Sequence, residues 1–161
     1  AVNSEDSDSL YKRALNGGEG KYGFLDIIEN YEGTTAAKLA TYSAGMSYFN
    51  IKDYQNAVTY LDQFNSEDVL LGALAKGAIG DAFAQMDQPD KALDYYVAAF
   101  NINNNVYSTP KFLYKAAMIG FKLGKNKQAL AYLERIKKEF KESREANMVS
   151  VQIAKIKSII D

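Results

Sequence analysis

The stretch Ala44-Gly45-Met46-Ser47-Tyr48-Phe49-Asn50-Ile51-Lys52-Asp53-Tyr54-Gln55-Asn56-Ala57-Val58-Thr59-Tyr60-Leu61-Asp62-Gln63-Phe64 decides how this chain folds. Upstream of Lys52, Leu39, Tyr42, Met46 and Phe49 recur three and four residues apart. Downstream, Ala57, Tyr60, Leu61 and Phe64 do the same. That is the spacing of one helix face, so the stretch predicts two helices joined by the polar turn Lys52-Asp53-Tyr54. Each helix carries a small residue, Gly45 or Ala57. Two helices approach closely only where the contact residue lacks bulk.

Outward from this stretch the pattern recurs. A small residue precedes a bulky one by four positions at Gly23–Ile27, Ala57–Leu61, Ala92–Tyr96 and Ala129–Leu133, at intervals of 34, 35 and 37 residues. Gly45, Gly80 and Ala117 stand twelve residues before the last three. A fixed period of this size marks stacked repeats. Alternating strand patterns are scarce, and the spacing predicts nine helices near 7–15, 20–32, 35–50, 53–64, 67–86, 89–102, 109–123, 126–140 and 143–160. The breaks carry helix punctuation. Thr34 or Thr35 follows Gly33 as an N-cap, and Ser66 precedes Glu67 and Asp68. Pro89 and Pro110 suit a first turn, with Thr109 as cap before Pro110. Gly124 closes one helix and Asn126 opens the next, and Ser143 caps the last. Residues 1–8, with Glu5, Asp6 and Asp8 among serines, are expected to fray.

These positions resemble the tetratricopeptide repeat (TPR), a helix–turn–helix unit of about 34 residues. The family's small and aromatic positions fall on Gly45, Tyr48, Ala57, Leu61 and Phe64 in a first repeat. They fall on Gly80, Phe83, Ala92, Tyr96 and Ala99 in a second, and on Ala117, Gly120, Ala129, Leu133 and Ile136 in a third. Gly120 departs from the expected aromatic, with Phe121 beside it to fill the space, and the family's early Trp is absent. The resemblance implies an all-α fold: one α-α superhelix, a TPR solenoid spanning 1–161. A degenerate repeat covers 9–34, full repeats 35–69, 70–106 and 107–142, and a capping helix 143–160. Met148, Val151, Ala154 or Lys155, and Ile159 are the residues expected to face the last repeat.

In the family, first helices line a concave ligand groove. Carried over by position, the contacts would be Tyr42, Met46, Phe49 and Asn50, then Asp81 and Gln85, then Lys111, Tyr114, Met118, Phe121 and Lys122. Leu39, Leu74, Gly77 and Ala84 fall at equivalent places. The recurring Tyr–Met–Phe set would suit an extended segment or a partner helix. The competing reading is that these stripes pack against neighbouring helices. Gly45, Ala57, Gly80, Ala92, Ala117 and Ala129 are the packing positions in either case. Tyr42 with Met46, and Gly77 with Asp81, stand at the two positions where one TPR subtype that clamps a terminal carboxylate places Lys and Asn.

A second resemblance rests on Gly20 through Ala40 to Gly45, on Ala78-Ile79-Gly80-Asp81-Ala82 and on Ser108-Thr109-Pro110. It is to bacterial TPR proteins held in the inner membrane by one N-terminal helix, some of them ancillary to the Sec translocon or to envelope chaperones. It implies a scaffold or helper that binds other proteins on the periplasmic face, with a membrane helix before Ala1. A cytoplasmic location stays open. The alternative is a structural subunit of a membrane-associated complex without a mobile peptide ligand. Neither resemblance sets the oligomeric state.

Composition narrows the chemistry. The chain has no His, no Cys and no Trp. That removes the common ligands of transition metals and the Ser-His and Cys nucleophile systems. No Gly-rich phosphate loop is present, because Gly17-Gly18-Glu19-Gly20 lacks a following Lys. The acid pairs Asp53 with Asp62, Asp81 with Asp87, and Asp90 with Asp94 are exposed by pattern, so the chain reads as non-catalytic, with no cofactor and no metal. A net charge of −1 gives no argument for nucleic acid. The charge is nevertheless uneven: residues 1–110 hold 7 basic and 15 acidic side chains, residues 111–161 hold 12 and 5. Lys111, Lys115, Lys122, Lys125, Lys127, Lys137, Lys138 and Lys141 either meet an acidic partner or anionic headgroups, or form a solvated face.

Overall fold

The computed structural model describes residues 4–160, and these are helical throughout apart from turns and one isolated bridge, Gly18 with Lys21. The helices are α1 (Ser4–Asn16), α2 (Phe24–Asn30), α3 (Thr35–Asn50), α4 (Tyr54–Gln63), α5 (Val69–Gln85), α6 (Pro89–Ile102), α7 (Thr109–Lys122), α8 (Asn126–Glu139) and α9 (Val149–Ile160), with a 3-10 turn at Glu145–Asn147. Of the stretch 1–8 expected to fray, residues 4–8 are helical and 1–3 lie outside the described residues. The contacts gather into two compact units, Ala1–Glu67 and Asp68–Asp161.

In the first unit α3 packs on α4, and α1 and α2 pack on α3. Thr34 caps α3, its hydroxyl accepting from Ala37 N at 3.1 Å. Asp53 caps α4 by accepting from Asn56 N at 3.2 Å. A side chain built on Gly45 would stand 2.6 Å from Leu61 Cγ, so the helix crossing predicted from the sequence needs this glycine. The degenerate repeat differs from expectation. The helix predicted over 20–32 is only Phe24–Asn30, because Gly17, Glu19 and Gly20 take positive φ values (74°, 54° and 75°) and form a turn. Gly23 is not inside a helix but is the N-cap of α2, buried against the Leu15 carbonyl.

In the second unit each helix packs on the next, from α5 to α9. Tyr96, Phe100, Phe112, Leu113, Leu133, Ile136, Val149 and Ile156 form a continuous core around the small positions Ala92, Ala117 and Ala129. Asp68, not Ser66, caps α5, accepting from Leu70 N and Leu71 N at 2.9 and 3.1 Å. Thr109 is inside α7; its hydroxyl accepts from Asn105 N at 2.9 Å and so tethers the preceding loop. Lys125 holds the cap position of α8, with Asn126 its first residue. Pro89 and Pro110 lie in first turns as read.

The face of the last helix is corrected. Met148, Val151 and Ile159 are exposed, and Val149, Ile153 and Ile156 are buried instead. The two stripes differ by about one position, and both have helical period. Burial of those three side chains stabilises the α8–α9 contact by roughly 1.5–3 kcal/mol each, before ordering costs. Ser143 lies before the 3-10 turn and not at the start of α9; its hydroxyl accepts from Ala146 N at 3.1 Å.

Candidate functional site

The predicted contacts divide by unit. On α3, Tyr42 is half-buried against Phe64 (ring centroids 5.2 Å apart), and burial raises its phenol pKa. Phe49 meets Tyr54 edge-on at 5.4 Å. Met46 is half-buried, and exposed Asn50 donates from its side chain to the Met46 carbonyl at 2.8 Å. In this repeat the aromatic stripe is engaged by its own hairpin.

On α5, Asp81 is occupied. Its carboxylate takes the Lys115 ammonium at 2.6 Å (Oδ2) and the Tyr96 hydroxyl at 2.6 Å (Oδ1). Burial and this bond push the Tyr96 pKa well above its ordinary range, since ionising the phenol would set two negative charges together. Lys115 stands 34 residues after Asp81. Lys122 with Asp87 and Lys125 with Asp90, both at 3.3 Å and 35 residues apart, repeat the arrangement. Basic residues that were candidates for an outside acidic partner therefore tie the second repeat to the third. The repeat period predicts such a ladder only if acid and base are compared one period apart. Gln85 is exposed. Gly77 is a packing position: a Cβ there would lie inside the ring edge of Phe112, which is 1% exposed.

On α7 the predicted residues converge with α9. Met118 and Phe121 share a cleft of about 280 Å³ with Val151, Gln152, Lys155 and Ile156. Phe121 does not fill the space beside Gly120. Gly120 faces Ala129, and Phe121 lies under the Lys155 ammonium, 5.3 Å from its ring centre. Tyr114 accepts a long bond, 3.4 Å, from the Gln152 side-chain amide. The Gln152 carbonyl oxygen is buried with no partner in the protein among the described residues. An unpaired buried acceptor costs about 1–3 kcal/mol, so it marks a functional candidate. Lys111 is exposed beside the Phe112 ring. Val151 and Lys155, expected to face the last repeat, do meet it at Met118 and Phe121; they and Gln152 were not predicted as ligand contacts, because α9 was read only as a cap.

Four of the carboxylates weighed for acid–base work serve other ends. Asp53 caps α4, and Asp81, Asp87 and Asp90 hold lysines. Among the described residues no group of three or more acidic side chains could hold a metal ion, and no helix is long and apolar enough to cross a membrane.

Comparison with known proteins agrees with this architecture. The family model described as tetratricopeptide repeat matches residues 40–68 and 112–143. Among solved structures it is similar to one titled "Crystal structure of MamA protein", with a TM-score of 0.54 and 18% identity. The match covers 96% of this chain and 90% of that one. At this identity the likeness is one of fold. No curated protein matches the sequence.

Proposed function

We propose that this chain is a non-catalytic protein-interaction module whose α7–α9 cleft receives a segment of another protein. Tetratricopeptide repeats generally mediate contacts between proteins, and the cleft supplies the specific support. It is apolar where Met118, Phe121 and Val151 meet and cationic at Lys155. Methionine and aromatic walls adapt to varied apolar side chains. The resemblance to membrane-held envelope proteins supports a role as a scaffold, or as a helper of a translocon or chaperone, on the periplasmic face.

The test is site-specific crosslinking in cells. A photoreactive phenylalanine analogue replaces Phe121 or Val151 in the full-length protein, and Lys127 as an exposed control. A discrete crosslinked protein at Phe121 and Val151, absent at Lys127, supports the reading. Equal yields at all three positions, or none, refute it. Fractionation of the same cells tests the envelope location, and a fully cytosolic pool would overturn that part alone.

A further inference from the structure

A second surface of the same unit has no role in the cleft. The loop from Asn103 to Ser108 joins α6 to α7, and Asn105 organises it. The Asn105 side-chain carbonyl accepts from Tyr107 N and Ser108 N at 2.9 and 2.8 Å. Its amide donates to the Ser108 hydroxyl and the Asn103 carbonyl at 2.8 and 3.2 Å. Thr109 Oγ1 closes the loop by donating to the Asn103 carbonyl at 3.0 Å. Arg135 donates to the Asn104 side chain at 3.1 Å. A loop held this way has lost its conformational freedom on folding. Yet the residues at its tip are apolar and bare: Val106 is 68% exposed and Tyr107 82%. The ordering satisfies the buried Ser108 and Thr109 hydroxyls, and it also presents two exposed side chains in fixed positions; that pre-organisation lowers the cost of binding.

Beside the tip lies a cavity of about 570 Å³, between Val106 and Tyr107 on one side and Lys138, Phe140, Lys141 and Glu142 on the other. Its size is that of a site for a small ligand or a side chain. Phe140 is buried and forms an apolar wall. The charge around it is positive. Residues 135–144 contain Arg135, Lys137, Lys138, Lys141 and Arg144 against Glu139 and Glu142. Glu139 is already held by Arg135 at 3.0 Å, while Lys138 and Lys141 pair with no carboxylate among the described residues.

We propose that this cavity is a second docking site, which takes an apolar side chain carried on an acidic segment of another protein. The apolar walls hold the side chain, and Lys138 and Lys141 meet flanking carboxylates. A protein segment fits better than a bilayer. A bilayer reads side chains that protrude, whereas a recess accepts one. The site is independent of the α7–α9 cleft, and either can fail without the other.

The probe is the peptide acetyl-Glu-Asp-Trp-Leu-Asp-Glu-amide, titrated with the full chain. The chain has no Trp, so the emission reports the peptide alone. Saturable binding is expected, weakened at least tenfold by Tyr107→Ser and by Lys138→Glu with Lys141→Glu. Met118→Ala should leave it unchanged. A control peptide with Ala for Trp should not bind. All substituted residues except Met118 are exposed, and far-UV circular dichroism verifies that each variant is folded. The proposal is overturned if the peptide does not saturate by about 1 mM, or if these loop and lysine variants bind it like the parent. Loss on Met118→Ala with retention on Tyr107→Ser would place the peptide in the other cleft. Tyr107-dependent binding to phosphatidylserine vesicles, with no peptide binding, would assign the surface to a membrane instead.

Discussion

Adding one methyl group to Gly80 and to Gly120 should move stability in opposite directions. Both glycines are buried inside helices of the second unit, where glycine is less favourable than alanine by about 0.5–1 kcal/mol. At Gly80 the new Cβ would stand 2.7 Å from Tyr96 Cε1 and 2.8 Å from Cδ1. Tyr96 is 3% exposed and cannot swing into water. Its ring must shift, which costs about 1–3 kcal/mol as overpacking. The shift also stretches the 2.6 Å bond to Asp81, and a hydrogen bond to a charged group contributes about 1.5–3 kcal/mol. With the helix gain subtracted, Gly80→Ala should destabilise by roughly 1.5–5 kcal/mol. At Gly120 the nearest atom is Ala129 Cβ at 3.7 Å, ordinary contact, so only the helix gain remains. Gly120→Ala should stabilise by about 0.5–1 kcal/mol. The assay is urea unfolding followed by far-UV circular dichroism, with the midpoint compared at constant slope. If Gly80→Ala lies within about 0.5 kcal/mol of the parent, or Gly120→Ala is the more harmful of the two, the close-crossing argument is wrong.

Other perturbations follow from the same contacts. Lys115→Ala strands the Asp81 carboxylate, 27% exposed, and should cost about 1–3 kcal/mol in the same unfolding assay. Lys122→Ala, at the exposed Asp87 pair, should cost less than about 1 kcal/mol and vanish in high salt. Because the folded state holds the Tyr96 proton above its ordinary pKa of 10.0, the associated stability is complete below pH 10 and is lost as pH rises beyond it. Tyr96→Phe should flatten that alkaline loss relative to the parent in unfolding curves taken across this range. Truncation after Glu142 removes Val149, Ile153 and Ile156 from the core face of α8, and the fragment should aggregate on gel filtration; a monodisperse, folded 1–142 chain would count against the cap role of α9.

The main architecture was legible because its cause is local and repeated. Gly45 under Leu61 and Gly80 under Tyr96 are required by helix crossings, and the crossings recur at a fixed interval. What the sequence hid were choices among equivalent groups. Ser66 and Asp68 are both good caps; Asp68 prevails, with two backbone donors in reach of its carboxylate. Thr109 looks like a cap before Pro110, yet its hydroxyl bonds to both Asn103 and Asn105, so the helix begins around it. Neither competition is decided by side-chain type alone.

The site was half legible for a related reason. Position within a repeat shows which residues lie on the first-helix face, but not which of them the neighbouring side chains occupy. Tyr42 and Phe49 have rings of their own hairpin to meet, and Asp81 has Lys115. Met118 and Phe121 pack against the core and line the cleft with α9. That helix carries two apolar stripes about one position apart. The stripe through Val149, Ile153 and Ile156 closes the core, which leaves Val151 and Lys155, with Gln152 between them, to face Met118 and Phe121. A cap therefore also builds the cleft wall, and the two roles separate by substitution. Ile153→Ala should lose about 2–5 kcal/mol of stability, while Val151→Ser, at a side chain 75% exposed, should leave stability within about 0.5 kcal/mol and lower the yield of the Phe121 crosslink. If Val151→Ser instead unfolded the second unit, the exposed stripe would belong to the core, and the cleft would be a packing defect.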